Sequence, residues 1–155
     1  MGVGQGYLSV TPLHLALISA MIAKKGDYEI PYLVQKEQDI QQLNFDLTEE
    51  DWKQLHESLT QVIYSRNGTG IRIQPGDMKL AGKTGTAKVK SINSKEQYDD
   101  VRENEEYRDH AMFIGFAPYD EPRYAISVVI ENGEWGGSVA GPVARDVLLE
   151  VFNAD

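Results

Sequence analysis

The sequence contains no cysteine, which excludes disulfide bonds and thiolate chemistry and leaves the redox compartment undetermined. It also has few basic residues, since 15 Lys and Arg stand against 24 Asp and Glu, a formal net charge of -9. Nucleic-acid binding relies on clustered Lys and Arg, so we expect no nucleic-acid partner. No apolar run approaches the roughly 18 to 20 residues of a membrane helix, so we expect no membrane segment in this chain.

The N-terminal residues Met1 to Gly6 have neither a positive region nor an apolar core, so we expect any export signal to lie elsewhere. The length of 155 residues, with 41% apolar and 25% charged residues, is normal for one globular domain with one core. His14 and His56 lie on separate predicted helices without ligand spacing, so we expect no metal and no cofactor.

Two predicted helices begin at strong capping signals. Thr11-Pro12 begins a helix over 12–25, which we expect to be buried and to end at Gly26. Thr48-Glu49-Glu50-Asp51 resembles a capping box and begins a second helix that fades near Asn67-Gly68.

The remaining pattern predicts mainly strands. Residues 27–47 are expected to be irregular, with a brief strand near Tyr32-Leu33-Val34, and residues 90–109 to form a charged, solvated loop. Strands are predicted over 78–89, 110–116 and 124–131, the last two as an antiparallel hairpin. The strand over 124–131 is apolar on both faces and is expected to be central; a C-terminal helix follows it. This order predicts an α+β fold, an antiparallel sheet flanked by helices.

The segment Gly82-Lys83-Thr84-Gly85-Thr86-Ala87 is the best candidate for chemistry. Thr84 and Thr86 are two apart and project to the same side of a strand, where both hydroxyls can bind one carboxylate. Gly85 leaves room for close approach of a ligand. Strict alternation sends Lys83 to the other face, and the pattern alone does not show how it would share a cleft with the threonines.

This segment has other interpretations, and two further short motifs resemble known sites. The segment alone also fits an ordinary strand start, with a solvated Lys and Thr chosen for β-propensity. A phosphate-binding loop is excluded, because Asp77 occupies the position of its first glycine. Ser91-Ile92-Asn93 matches a catalytic S-x-N pattern by coincidence. Gly2, Gly4 and Gly6 do not fit a dinucleotide site, because no strand precedes them within the chain.

Four segments in order resemble a known family: Gly4 to Leu13 before the first helix, Gly82 to Ala87, Asp109 to Pro118, and Val129 to Gly133. Lys-Thr-Gly is a motif of penicillin-binding proteins and class A β-lactamases. The combination resembles class B penicillin-binding proteins, especially the elongation-type penicillin-binding protein 2. Family chains often have Trp where Met112 stands, a departure outside the proposed catalytic strand.

The resemblance implies that residues 1–155 are the C-terminal portion of a single transpeptidase domain, a partial penicillin-binding-protein/β-lactamase-like fold. It implies acyl transfer through a serine ester, with Lys83 and Thr86 as catalytic residues. Lys83 would tune proton transfer, and the N–H of Thr86 would donate to an oxyanion. Thr84, Gly85 and Thr86 would bind the terminal carboxylate of the substrate.

None of the eight serines is followed three residues later by Lys, so the S-x-x-K nucleophile is absent and we expect the chain alone to be inactive. The resemblance implies as partners the missing N-terminal half of the domain, D-Ala-D-Ala stem peptides, β-lactams and the cell-elongation machinery. It implies a parent anchored by an N-terminal helix at the bacterial inner membrane, on the periplasmic side.

Two alternative functions stay open at this point. The chain could be a non-catalytic module that binds peptidoglycan or a partner protein. A β-lactamase-like hydrolase is disfavoured by the Gly4-Gln5-Gly6-Tyr7 and Asp109 to Phe113 segments. His110 beside Asp109 is more typical of a structural residue than of a charge relay. Glu134 and Trp135 are expected to border a substrate cleft.

Overall fold

The computed structural model describes residues 9–32, 40–43, 45–89 and 104–154. The helices are α1 (Pro12–Ala23), α2 (Glu49–Tyr64) and α3 (Gly141–Ala154). The strands are β1 (Asp27–Glu29), β2 (Ile40–Gln42), β3 (Ala81–Ala87), β4 (His110–Ala117) and β5 (Tyr124–Ile130). A short 3-10 helix (Glu105–Tyr107) precedes β4, and a π-helix (Gly136–Ala140) leads into α3. The predicted α+β class is confirmed.

Both predicted helix starts are confirmed by their capping contacts. The Thr11 hydroxyl accepts a hydrogen bond from the His14 N–H at 3.2 Å, and the Thr48 hydroxyl accepts one from the Asp51 N–H at 3.2 Å. These contacts satisfy backbone donors that a helix leaves unpaired in its first turn. Gly26 has a φ of +101°, the left-handed conformation that commonly follows a helix end, as its position predicted.

The segment between α1 and α2 differs from the prediction. β1 and β2 form a separate antiparallel pair, with Tyr28 opposite Gln41. Tyr32, expected in a brief strand, lies outside any strand, while Leu33 and Val34 are outside the described residues. Strands of three residues carry too few side chains to show an alternating pattern, so no sequence pattern predicts them. Residues 90–103 of the predicted charged loop are also outside the described ranges.

The larger sheet has the order β3-β4-β5 and is antiparallel throughout. The predicted hairpin is confirmed, with Ile114 opposite Ser127. The expectation that the strand over 124–131 is central is wrong for the described strands, because β4 lies in the middle and β5 pairs only with β4. β5 is apolar on both faces because α1 and α3 pack against its two faces. Apolar faces therefore do not show whether a strand lies at the centre or at the edge of the sheet.

One hydrophobic core lies between the sheet and α3. Alternate residues of β4, including the fully buried Phe113, point into it. Ile73 and Leu80 from the segment before β3 and Leu148 of α3 complete this layer, each at most 2% exposed. This packing holds the beginning of β3 against the core. The rest of the strand lies at the edge of the sheet.

Helix α1 lies on the opposite face of the sheet. Ala23 packs against Phe116, and the buried Ser19 hydroxyl donates to the Gly115 carbonyl at 2.7 Å. The expectation that α1 is a buried helix is wrong, because Leu13 is 60% exposed and Ile18 40%. Apolar residues surround the helix, so packing one side against the sheet leaves the other sides exposed. Among the described residues, no helix is long and apolar enough to cross a membrane.

Candidate functional site

Strand β3 carries the predicted catalytic segment and lies at one edge of the sheet. Within the described ranges it pairs only with β4, with Thr84 opposite Phe113 and Thr86 opposite Ala111. Lys83 is exposed, whereas Thr84, Gly85 and Thr86 are half-buried. Residues 83–86 of the segment are therefore at least partly accessible and lie outside the buried core.

The two threonine hydroxyls of β3 lie between two other segments, as their two-residue spacing allows. The Thr84 hydroxyl is 2.7 Å from the Thr69 hydroxyl, which comes from the α2–β3 turn (65–73). The Thr86 hydroxyl donates to the Glu134 carbonyl at 3.3 Å, in the β5–α3 loop (131–135). Each of these two segments thus holds one of the β3 hydroxyls by a hydrogen bond.

The Lys83 side chain bends toward the backbone of the residue that follows it. Its ammonium donates a hydrogen bond to the carbonyl of Thr84 at 2.7 Å, so the charged end of the long side chain lies against the backbone of the strand. The flexible stem of lysine carries its charge to a position that strand alternation alone would not reach. Lys83 and Thr84 are therefore neighbours at the same stretch of the edge.

Close packing at Gly136 holds the start of the π-helix against β3. A Cβ added at Gly136 would overlap the Met112 carbonyl oxygen and would lie 2.6 Å from the Gly85 carbonyl oxygen. Only a residue without a side chain fits between these two backbones. The start of the π-helix is therefore packed directly against the backbones of β3 and β4.

The β5–α3 loop contains two non-glycine residues in the left-handed region, Asn132 at a φ of 56° and Glu134 at 61°. The Asn132 side chain donates to the carbonyls of Glu106 and Arg108, both at 3.0 Å, and the Glu134 N–H donates to the Asp109 carbonyl at 2.8 Å. Such backbone conformations persist where surrounding contacts enforce them. Asn132 thus fixes the loop that reaches Thr86.

Both residues that are expected to border a substrate cleft lie in this same loop. Trp135 is 70% exposed and directly precedes Gly136, and the Glu134 carboxylate is 4.0 Å from the Arg108 guanidinium. A large exposed indole beside a candidate ligand-binding strand is a suitable surface for a ligand to stack on. That these residues border a substrate cleft stays a prediction.

The beginning of β3 is tied to the end of α2 by Tyr64. Its hydroxyl donates to the Met78 carbonyl at 2.9 Å and accepts from the N–H of the buried Leu80 at 3.0 Å. Burial raises the pKa of Tyr64, while the Leu80 N–H opposes that rise because it stabilises the phenolate. Tyr64 therefore stays protonated at neutral pH and keeps both contacts.

The three histidines have structural contacts. His14 belongs to the cap of α1, the His56 ring lies 2.7 Å from the Ile22 carbonyl, and the His110 Nδ1 accepts from the Asn132 N–H at 3.0 Å. The structural interpretation of His110 agrees with this contact. In the part of the chain that the structure describes, no group of three His, Asp or Glu side chains could hold a metal ion.

A cleft of about 580 Å³ lies elsewhere, between the start of α2 and the turn after β4. It is lined by residues of both charges, among them Lys25, Glu49, Lys53 and Asp120. None of its lining residues belongs to β3 or to the two segments that flank the β3 hydroxyls. The candidate Lys-Thr-Gly strand therefore lies outside this cleft.

Comparison with known proteins relates this arrangement to one family. Residues 1–149 match the model of the penicillin binding protein transpeptidase domain. The chain is 39% identical to the peptidoglycan D,D-transpeptidase MrdA of Acinetobacter baumannii, over 90% of this chain and 22% of that protein. It is 31% identical to MrdA of Haemophilus influenzae, over 99% of this chain and 25% of that protein. The chain thus spans about a quarter of the length of these relatives.

Solved structures give the same result. The crystal structure of Pseudomonas aeruginosa PBP2 in complex with WCK 5153 matches with a TM-score of 0.71 and 33% identity, over 95% of this chain and 30% of that one. PBP2 in the complex with MreC from Helicobacter pylori matches with a TM-score of 0.73 and 28% identity, over 96% of this chain and 26% of that one. Because the family model covers nearly all of the sequence and a relative is 39% identical, the chain belongs to the penicillin-binding protein transpeptidase domain family.

Proposed function

We propose that this chain is the C-terminal part of an elongation-type peptidoglycan D,D-transpeptidase and that β3 forms one wall of its catalytic cleft. The proposal depends on one observation: Lys83 and the hydroxyls of Thr84 and Thr86 lie along an accessible strand edge, outside the core. It is supported by the family match and by the similarity to MrdA proteins and PBP2 structures.

The reaction is acyl transfer through a serine supplied by polypeptide outside this chain. The serine oxygen bonds to the penultimate D-Ala carbonyl carbon, the peptide C–N bond breaks, and the serine proton ends on the departing D-Ala amine. An amine of a neighbouring stem peptide then attacks the ester, releases the serine and completes the cross-link. A β-lactam forms the same ester, but its leaving group stays attached.

Lys83 supplies positive charge beside the reacting groups and helps proton transfer to the leaving amine. The hydroxyls of Thr84 and Thr86 bind the terminal carboxylate, and Gly85 leaves room for it. The Thr86 N–H is one oxyanion donor, an interaction that typically stabilises a transition state by about 3 kcal/mol. The two hydroxyls recognise substrate, while Lys83 and the Thr86 N–H act on the chemical step.

The complete protein works on the periplasmic side of the bacterial inner membrane, anchored by a segment outside this chain, together with the cell-elongation machinery. The missing N-terminal half of the transpeptidase domain is its first partner. One solved relative, the PBP2 of Helicobacter pylori, is in a complex with MreC. This similarity supports the choice of the elongation type among transpeptidases.

The test is acylation by a fluorescent penicillin. The isolated 155-residue chain should not be labelled, whereas the complete protein should be labelled covalently. Lys83→Ala in the complete protein should slow labelling about 10²- to 10⁴-fold, the usual contribution of a group that assists proton transfer. Lys88→Ala is the matched control, because Lys88 is an exposed lysine just beyond β3, and it should be labelled at the wild-type rate.

Two outcomes would contradict the proposal. Labelling of the isolated chain would mean that it holds its own nucleophile, and equal rates for Lys83→Ala and Lys88→Ala would remove Lys83 from the chemistry. A complete protein that is never labelled but binds peptidoglycan would favour the alternative, a non-catalytic binding module with the same half-fold.

A further inference from the structure

The candidate carboxylate-binding site contains a pair of neighbouring hydroxyls, one on β3 and one outside it. The Thr69 Oγ1 and the Thr84 Oγ1 are 2.7 Å apart, the usual separation of a hydrogen bond between two hydroxyls. Thr84 is half-buried at the strand edge and Thr69 is exposed in the α2–β3 turn. Sequence reasoning gave no role to Thr69, which lies 15 residues before Thr84.

The backbone of Thr69 is fixed by its neighbours. The Gly70 N–H donates to the Val62 carbonyl at 2.8 Å, and the Ile73 N–H donates to the Gly70 carbonyl at 2.9 Å, with Ile73 fully buried below. On the other side Gly137 lies against Thr69, because a Cβ added at Gly137 would overlap the Thr69 carbonyl. The turn is therefore attached to α2, to the core and to the π-helix, and its hydroxyl has a defined position.

When an anion binds, the donor and acceptor capacity of a hydroxyl determines which of the two threonines donates to the other. A hydroxyl has one proton to donate and two lone pairs that accept. If Thr84 donates its proton to a carboxylate, its oxygen is left to accept, and the Thr69 hydroxyl, 2.7 Å away, can donate to it. Two hydrogen bonds in one direction strengthen each other. The same contact restricts the rotation of the Thr84 side chain.

We propose that Thr69 is a positioning residue that orients the Thr84 hydroxyl toward the terminal carboxylate of the ligand. The inference rests on the proposed function, since it assumes that Thr84 binds that carboxylate. In this proposal, a residue from the turn after α2 sets the direction in which a hydroxyl on β3 donates its hydrogen bond. Substrate recognition thereby depends on a segment outside the Lys-Thr-Gly motif.

The test compares Thr69→Val and Thr69→Ser in the complete transpeptidase. Valine keeps the shape and loses the hydroxyl, whereas serine keeps the hydroxyl. For benzylpenicillin, which carries the carboxylate, Thr69→Val should lower the second-order acylation rate constant about threefold to tenfold, the range of one hydrogen bond. Thr69→Ser should restore most of the wild-type rate. With the methyl ester of benzylpenicillin, which lacks the anion, Thr69→Val should be acylated at the wild-type rate.

A double-mutant cycle separates positioning from a general structural effect. In a Thr84→Val background, Thr69→Val should cause no further loss, because the hydroxyl that it orients is gone. NMR of the complete transpeptidase with labelled threonine methyl groups gives a readout independent of activity: Thr84 should occupy one χ1 rotamer in wild type and Thr69→Ser, and should average between rotamers in Thr69→Val.

Each failure has its own meaning. A wild-type protein that is not acylated contradicts both the proposed function and this inference. Normal wild-type acylation with no effect of Thr69→Val, or with an equal loss for benzylpenicillin and its ester, contradicts the positioning role alone. A fixed Thr84 rotamer in Thr69→Val would also contradict it.

Discussion

Gly136→Ala tests whether the π-helix is packed against the candidate strand. The added methyl would meet the backbone carbonyls of Met112 in β4 and Gly85 in β3. Neither atom belongs to a flexible side chain, so the overlap can be relieved only if the π-helix moves away from the sheet or β3 is displaced. The variant therefore disturbs the site through backbone position, without removing any functional group.

The magnitude follows from the distances. The methyl carbon would lie 2.6 Å from the Gly85 oxygen, where an ordinary contact is at least 3.4 Å. That carbonyl alone must therefore move by about 0.8 Å, enough to lose roughly a quarter to a half of the attraction of a well-packed contact. Inserting a methyl group into a packed site typically costs about 1–3 kcal/mol. For a chain of this size we expect the midpoint of thermal unfolding to fall by about 2–12 °C.

The assay is thermal unfolding of the 155-residue chain followed by circular dichroism. Ser138→Ala, two residues later in the same π-helix, is the control, and it should change the unfolding free energy by no more than about 0.5 kcal/mol. In the complete transpeptidase, a shift of about 1 Å in β3 should lower acylation about 100-fold. If Gly136→Ala unfolds at the wild-type temperature, the close contact between the π-helix and β3 does not exist.

Three further variants test single contacts by the same unfolding measurement. Tyr64→Phe should cost about 1–3 kcal/mol, because it leaves the buried Leu80 N–H without its acceptor; an unchanged midpoint would contradict that bond. Thr48→Ala should cost about 1 kcal/mol through the lost cap of α2. Hydrogen bonds from the Thr48 side chain and N–H hold the pKa of Asp51 below its ordinary value, so in Thr48→Ala an NMR titration should show that pKa raised. Ser127→Ala should be neutral or stabilising, because the buried Ser127 hydroxyl has no hydrogen-bond partner among the described residues; a loss above 1 kcal/mol would contradict this.

The pH dependence of the α2 cap has a definite sign. Because the native pKa of Asp51 lies below the unfolded value, the stability from this carboxylate is fully present above the unfolded pKa, about 3.9. It is lost as the pH falls through the lower native pKa. Amide hydrogen exchange in the first turn of α2 should therefore accelerate in this acid range, and it should depend less on pH in Thr48→Ala.

Local signals in the sequence predicted the elements that local chemistry determines. The caps at Thr11 and Thr48 and the hairpin between β4 and β5 were found, because each depends on residues close together in the chain. The lateral position of β5 and the exposure of α1 were not found. Both depend on what packs beside an element, and apolar composition describes the faces of an element without naming its neighbours.

The candidate site shows the same division. The spacing of Thr84 and Thr86 predicted that their hydroxyls share a side of β3. No role was predicted for Thr69 or Asn132. The contacts of Thr69 and Asn132 join residues 15 to 26 positions apart, which only the tertiary fold brings together. One signal was available: Asn followed by Gly at 132–133 is typical of a turn that needs a positive φ.

The edge of β5 that faces away from β4 affects the self-association expected of this chain when it is produced alone. Its seven residues, Tyr124–Ile130, carry no charge, and among the described strands only β4 pairs with them. Uncharged strand borders recruit other strands, and proteins commonly oppose such recruitment with flanking charges. Arg123 and Glu131 occupy those flanking positions here. Neutralising both should turn a dispersed preparation into one that self-associates through β5.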